Sequence, residues 1–146
     1  MKLKLTSSVM CFIILVAMVP QDSIANEKFQ VSGQGTNSTY SIRIEVDGSI
    51  LELNNVAANP DMGPEDFVSY WKEWWDFSNP QGKFVIDPTD PTKFTLIGAN
   101  ISVIVDGTEV VGNQNGVPFN PTIYWLGTSI PTLPEWGLII LTVLLL

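Results

Sequence analysis

Histidine is absent from this chain, and cysteine occurs once, at Cys11. Without an imidazole there is no Ser-His-Asp or Cys-His catalysis and no histidine-based metal site, and a lone thiol forms no intrachain disulfide. Cations are scarce as well: 7 Lys and Arg stand against 15 Asp and Glu, for a net charge of -8. A nucleic-acid interface needs clustered cations to displace phosphate counterions, so that class of partner is excluded. Long apolar runs are missing too. The longest, residues 9–19, holds 11 residues, about half of the roughly 20 that a membrane-spanning helix requires.

What is present begins with the ends. Lys2 and Lys4 supply a basic start, residues 9–19 an apolar stretch, Pro20 a break, and Ser23 and Ala25 the small residues of a cleavage site. This order is that of a secretory signal peptide over residues 1–25, cut by signal peptidase between Ala25 and Asn26. Cys11 lies near the start of the apolar run rather than closing it, so it is not the acylated cysteine of a lipoprotein, and it leaves with the leader. The expected mature chain keeps 5 basic against 14 acidic side chains and no cysteine. In an oxidising compartment such a domain is held by packing alone.

At the other end, Ile130-Pro131-Thr132-Leu133-Pro134-Glu135-Trp136-Gly137 precedes the apolar residues 138–146. The prolines stiffen an extended segment, Trp136 suits a membrane interface, and an apolar helix opens after Gly137. Nine helical residues rise only about 13 Å against roughly 30 Å of hydrocarbon. The segment resembles the IPTLxxWG C-terminal sorting signal of Gram-negative bacterial surface proteins, matching it at Ile130, Pro131, Thr132, Leu133, Trp136 and Gly137. The resemblance is limited to residues 130–146. It implies a motif, a membrane helix and a basic cluster, processed in the inner membrane by an exosortase H-like enzyme before release to the cell surface, the extracellular space or the biofilm matrix. Here the helix stops early and the terminal Arg or Lys cluster is missing, so against that pattern the tail looks truncated.

Residues 26–129 remain for one small acidic domain. Asp47-Gly48 and Asp106-Gly107, each flanked by alternating apolar residues, are the pairs that a two-residue type I′ turn demands. A loop at Asp47-Gly48 sets Val46 opposite Ser49, Glu45 opposite Ile50, Ile44 opposite Leu51, Arg43 opposite Glu52 and Ile42 opposite Leu53. Arg43 and Glu52 then form a cross-strand ion pair. The second hairpin pairs Val103 with Val110, and because Ile104 and Val111 make its other face apolar too, it is expected to be the more central. The two strand-turn-strand segments align through their turns. Further strands are expected at 28–31, 84–87, 94–97 and 122–126. The proline-bearing stretches 87–92 and 117–121 are expected to be linkers.

One helix fits between the hairpins. Asp61 or Gly63 can cap it, Pro64 suits its first turn, Glu65 and Asp66 favour the positive end of its dipole, and Asn79-Pro80 ends it. At about 100° per residue, Phe67, Val68, Tyr70, Trp71, Trp74, Trp75 and Phe77 fill one half of the wheel. Two readings follow. Either the tryptophans are the core contribution of a helix lying on a sheet, with Trp71 and Trp74 as core residues, or part of this wide arc is a ligand platform of Tyr70, Trp74 and Phe77 that stacks on sugars or peptides.

The chemistry of the remaining residues is sparse. Gly33-Gln34-Gly35 lacks the third glycine and the following helix of a dinucleotide fingerprint. Asp87 and Asp90 could share a Ca²⁺ with Asp106 or Glu109, although their spacing is not that of an EF-hand. No carboxylate pair stands out for glycoside hydrolysis. The fold expected is α+β, a mostly antiparallel sheet with the two hairpins and one amphipathic helix packed on a face; an all-β sandwich with an inserted helix is the alternative. The function expected is that of an exported surface or matrix protein with a structural or binding domain, with polysaccharide as a candidate partner. No catalytic, cofactor or metal site is expected. The alternatives are a secreted carboxylate-dependent enzyme acting on glycans and a membrane-anchored domain without processing.

Overall fold

The computed structural model describes residues 25–78 and 81–129. The leader up to residue 24, the helix stop at Asn79-Pro80 and the sorting segment 130–146 lie outside the described residues. The elements run β1 Ala25–Ser32, β2 Ser38–Val46, β3 Ser49–Ala58, α1 Pro64–Phe77, β4 Lys83–Ile86, β5 Lys93–Gly98, β6 Ile101–Val105, β7 Thr108–Glu109, β8 Val117–Pro118 and β9 Thr122–Ser129. They form two sheets, ordered β4-β5-β1-β9-β8 and β3-β2-β6-β7, with every pairing antiparallel. The fold is α+β, mostly antiparallel sheet with a single helix among the described residues.

Both Asp-Gly turns adopt the left-handed geometry that type I′ requires, with φ of 51° and 80° at Asp47 and Gly48 and 47° and 77° at Asp106 and Gly107. The first hairpin has the register that its turn dictates, Ile42 opposite Leu53 through Val46 opposite Ser49. In the second, the Val110 N–H donates to the Val103 carbonyl at 2.8 Å. Centrality departs from expectation. Each hairpin gives its first strand, β2 or β6, to the middle of the four-stranded sheet and its second to an edge. The second is not the more central, because β7 spans two residues, and Ile104 and Val111 remain half-buried. Arg43 also departs: it sits opposite Glu52 but forms its ion pair at 3.0 Å with Glu45, two residues along the same face of β2. Glu52 instead accepts a hydrogen bond from the Asn54 amide at 3.0 Å.

The turn aspartates also join the two hairpins. Asp47 Oδ1 accepts the amides of Ala99 and Asn100 at 2.8 and 2.9 Å, and its own N–H donates to the Asn100 carbonyl at 2.9 Å. Asp106 Oδ1 accepts the Ser41 amide at 2.7 Å, and its N–H donates to the Ser41 carbonyl at 2.9 Å. The first turn thus caps the start of β6, and the second binds β2 at Ser41, three residues inside that strand. The β2–β6 register pairs Ile42 with Val105 and Ile44 with Val103.

Alternation puts Phe29 and Val31 of β1, Phe94 and Leu96 of β5, Phe84 of β4 and Ile123 of β9 on one buried face, and Tyr40, Ile42, Ile44 and Val46 of β2 with Val103 and Val105 of β6 on another. With α1 these faces make one core. Phe29, Phe94 and Phe84 stack across three adjacent strands at centroid distances of 5.0 and 4.6 Å. Helix α1 lies on the five-stranded sheet against β1, β4 and β5. Gly63 is its N-cap and Pro64 opens its first turn; Asp66 Oδ2 accepts the Gly63 amide at 2.8 Å. Trp71 meets Phe94 edge to face at 6.1 Å and reaches across to the other sheet, where its Nε1–H donates to Tyr40 Oη at 2.9 Å. Burial raises the Tyr40 hydroxyl to a pKa of about 12, against the lowering effect of that bond.

The expected strands are present; β4 is shifted by one residue at the same length, and the other three are longer. The first begins at Ala25, and the last runs on past the expected end at Leu126 through Gly127, Thr128 and Ser129. The physical reason is Glu27, which shares a face with Phe29 and is 7% exposed. Its carboxylate accepts the Trp125 Nε1–H at 2.5 Å and the Thr128 hydroxyl at 2.7 Å, fastening the end of β9 to β1. Stretch 117–121 is likewise not all linker. Pro118 pairs with Thr122 in the edge strand β8, where a missing N–H is tolerated.

Candidate functional site: an aromatic cleft on the helix

The apolar half of the helix divides in two. Phe67, Val68, Trp71 and Trp75 are buried. Trp74 is not a core residue: it is 41% exposed, and Phe77 is 83% exposed. A helix resting on a sheet buries an arc of roughly 100°, and four residues already fill it. Tyr70, Trp74 and Phe77, at the i, i+4 and i+7 positions, form a second stripe that flanks the buried one, with Tyr70 half-buried against the core and Trp74 and Phe77 exposed.

Tyr70 and Trp74 lie 6.3 Å apart with ring planes at 69°, and Trp74 and Phe77 lie 6.0 Å apart at 73°. Edge-to-face rings make walls rather than a flat shelf. They enclose a cleft of about 240 Å³ lined by Tyr70, Glu73, Trp74 and Phe77. Glu73 is the member that lies outside the apolar half of the wheel. Its i+3 spacing from Tyr70 was the available signal, since residues three and four apart share a helix surface.

A second hollow, of about 390 Å³, is lined by Ala25, Glu27, Glu45, Ala99, Asn100, Ile101 and Ser102. It brings two carboxylates together, and both are engaged. Glu27 holds Trp125 and Thr128, and Glu45 holds Arg43. The proposed Ca²⁺ ligands are not gathered. Asp87 binds the amide and hydroxyl of Thr89, Asp90 binds Thr92 and Lys93, Asp106 binds Ser41, and Glu109 binds Ser102. The Thr89 bonds hold the Asp87 carboxyl below its usual range, and Lys93 and Thr92 do the same for Asp90. Among the described residues, no group of three or more His, Cys, Asp or Glu could hold a metal. Gly33-Gln34-Gly35 is a turn between β1 and β2, where a Cβ on Gly35 would meet the Asn59 carbonyl oxygen at 2.0 Å.

Ala25 and Asn26, the expected cleavage junction, lie within β1. Ala25 pairs with Gly98, and Asn26 pairs with Ile97 on one side and Ser129 on the other. Ser129 immediately precedes the motif residues Ile130, Pro131, Thr132, Leu133, Trp136 and Gly137, which lie outside the described residues. No helix among the described residues is long and apolar enough to cross a membrane. No protein family, no curated protein and no solved structure matches this chain.

Proposed function

We propose that this protein is exported, processed at both ends and displayed at the bacterial surface or in the surrounding matrix, where its domain binds polysaccharide through the cleft of Tyr70, Trp74 and Phe77. The observation that carries the binding reading is the exposure of Trp74 and Phe77 beside a core already filled by Trp71 and Trp75. Large aromatic side chains left in water on one stripe mark an interaction surface. Export rests on the leader-like residues 1–25, and sorting on the motif at residues 130–137. Signal peptidase and an exosortase H-like enzyme are the processing partners.

The pairing of Asn26 with Ser129 sets an order of events. Proteases act on extended, accessible chain, so leader removal at Ala25-Asn26 precedes closure of β1 between β5 and β9. Presentation of Ile130 then requires the end of β9 to fray, because no linker separates it from the motif.

The test expresses the full chain, with its frame extended into a complete tail, in a host with and without the exosortase. Intact mass and cell fractionation should show an N-terminus at Asn26 and exosortase-dependent release, and host exopolysaccharide should retain the parent but not Trp74→Ala. A folded, exported product that keeps residues 1–25 refutes the leader. If Pro131→Ala and Trp136→Ala are processed like the parent, the motif is not read and the protein is an anchored domain.

A second reading, a carboxylate-dependent enzyme acting on glycans, has only the shared hollow of Glu27 and Glu45 behind it, with Glu27 committed to Trp125 and Thr128 and Glu45 to Arg43. Glycan cleavage by the parent that Glu45→Gln abolishes without loss of folding would establish it.

A further inference from the structure

The cleft on α1 carries charge that a site for neutral sugar does not need. The helix ends beside Phe77 with no basic side chain in its last turn; Ser78 caps the Trp74 carbonyl through its N–H at 3.2 Å and its hydroxyl at 2.9 Å, which leaves a partial negative pole with no cation of the helix beside it. Glu73 lines the cleft and, among the described residues, enters no ion pair. Lys72, next to it in sequence, is already bound to Asp76. An acid near a helix C-terminus opposes the dipole, and exposed aromatic rings forgo burial; two local penalties therefore fall on one stripe. Such departures collect where a ligand offsets them.

Each element of the cleft attracts positive charge. The faces of the rings are negative and draw a cation within about 6 Å. Glu73 adds a full negative charge, the helix terminus a partial one, and the net charge of -8 a long-range field. Glycans bearing carboxylate, sulfate or phosphate are repelled by all of these.

We propose that the cleft recognises the protonated amino group of a hexosamine, so that the ligand is a cationic, N-deacetylated amino-sugar polymer. This inference rests on the polysaccharide-binding reading above and names its substrate class. The ammonium lies between the Glu73 carboxylate and the ring faces, while the apolar C–H face of the same sugar covers the exposed part of Trp74. Repetition of the unit along the polymer lets many displayed copies engage one chain, which raises avidity without new contacts.

The test titrates the exported protein with a glucosamine oligomer and with its N-acetylated counterpart of equal length, read by tryptophan fluorescence and calorimetry. The free-amine oligomer should bind at least about tenfold more tightly, the scale of one cation–π contact plus one exposed ion pair. Glu73→Gln, a near-isosteric change at an exposed position, should reduce that preference and the salt sensitivity of binding to what the ring faces and the net charge still supply, while Trp74→Ala should abolish binding of both oligomers. Equal binding of the two oligomers overturns the charge selection and leaves the polysaccharide reading intact. Binding of neither, with host exopolysaccharide still retained, also overturns it; loss of all polysaccharide binding sinks both readings. Two other results overturn it as well: displacement of the oligomer by tetramethylammonium at equal concentration, which identifies a small ammonium ligand, and self-association that disappears in Trp74→Ala, which identifies a second copy of this chain.

Discussion

Trp71 and Trp74 are one turn apart on the same helix, and replacing each with alanine separates core from surface. Trp71 is 0% exposed. Truncating a buried tryptophan loses its transfer free energy and leaves a cavity, at about 3 to 5 kcal/mol. The Tyr40 hydroxyl loses its donor in the core at the same time, which costs about 1 to 3 kcal/mol where no water replaces it. A domain of this size has roughly 5 to 15 kcal/mol in total, so Trp71→Ala should leave the chain marginally folded or unfolded at room temperature. Trp71→Phe keeps most of the packing and forfeits the bond to Tyr40, so it should fall between. Trp74→Ala removes contacts mainly to Tyr70 and Phe77 and should cost under about 1 kcal/mol. Urea denaturation followed by far-ultraviolet dichroism measures all three, with unchanged slopes required for comparison. Equal losses for Trp71→Ala and Trp74→Ala would refute the division of the helix into a buried and an exposed stripe, and with it the cleft.

Three further outcomes are expected. Gly98→Ala should destabilise by about 1 to 3 kcal/mol, the range for overpacking, because its Cβ would lie 2.4 Å from Val46 Cγ1; the double variant with Val46→Ala should lose less than the sum of the two singles, and strict additivity in urea melts contradicts the contact. Tyr40, raised to about 12 by burial, is protonated in the folded domain above the pH at which an unfolded tyrosine ionises, so its contribution is complete below about pH 10 and is lost as pH rises toward 12. Spectrophotometric titration should find one late-ionising tyrosine that vanishes in Tyr40→Phe, and its persistence there assigns the shift elsewhere. Glu27→Gln should weaken the hold on Trp125 and Thr128 by about 1.5 to 3 kcal/mol, as for hydrogen bonds to a charged group, speeding amide exchange at the end of β9 and tail processing in an exosortase host; unchanged exchange at Thr128 means that the carboxylate is not what keeps the strand closed.

What the sequence determined by itself is short in range. An Asp-Gly pair needs only its own backbone to choose a type I′ turn, and the turn then sets the register from Val46 and Ser49 outward, so the first hairpin is legible residue by residue. Pro64, Glu65 and Asp66 mark the start of the helix for the same reason: capping and dipole effects act within one turn. The aromatic residues of α1 were legible as a group but not as two groups, because periodicity shows which side chains share an arc and not how much of that arc a sheet will cover. Tertiary packing decided it, placing Trp71 between Phe94 and Tyr40 and leaving Trp74 in water. Packing likewise gave Arg43 to Glu45, ordered the hairpins so that β2 and β6 meet, and tied Asp47 to Asn100 and Asp106 to Ser41 across 53 and 65 residues of chain. Glu27 shows the limit best. It lies outside the strand expected at 28–31, yet β1 includes it on the face of Phe29 and Val31; an acid on a buried face is stable only beside donors, and those came from Trp125 and Thr128, about a hundred residues away, where nothing local in either segment announces the other.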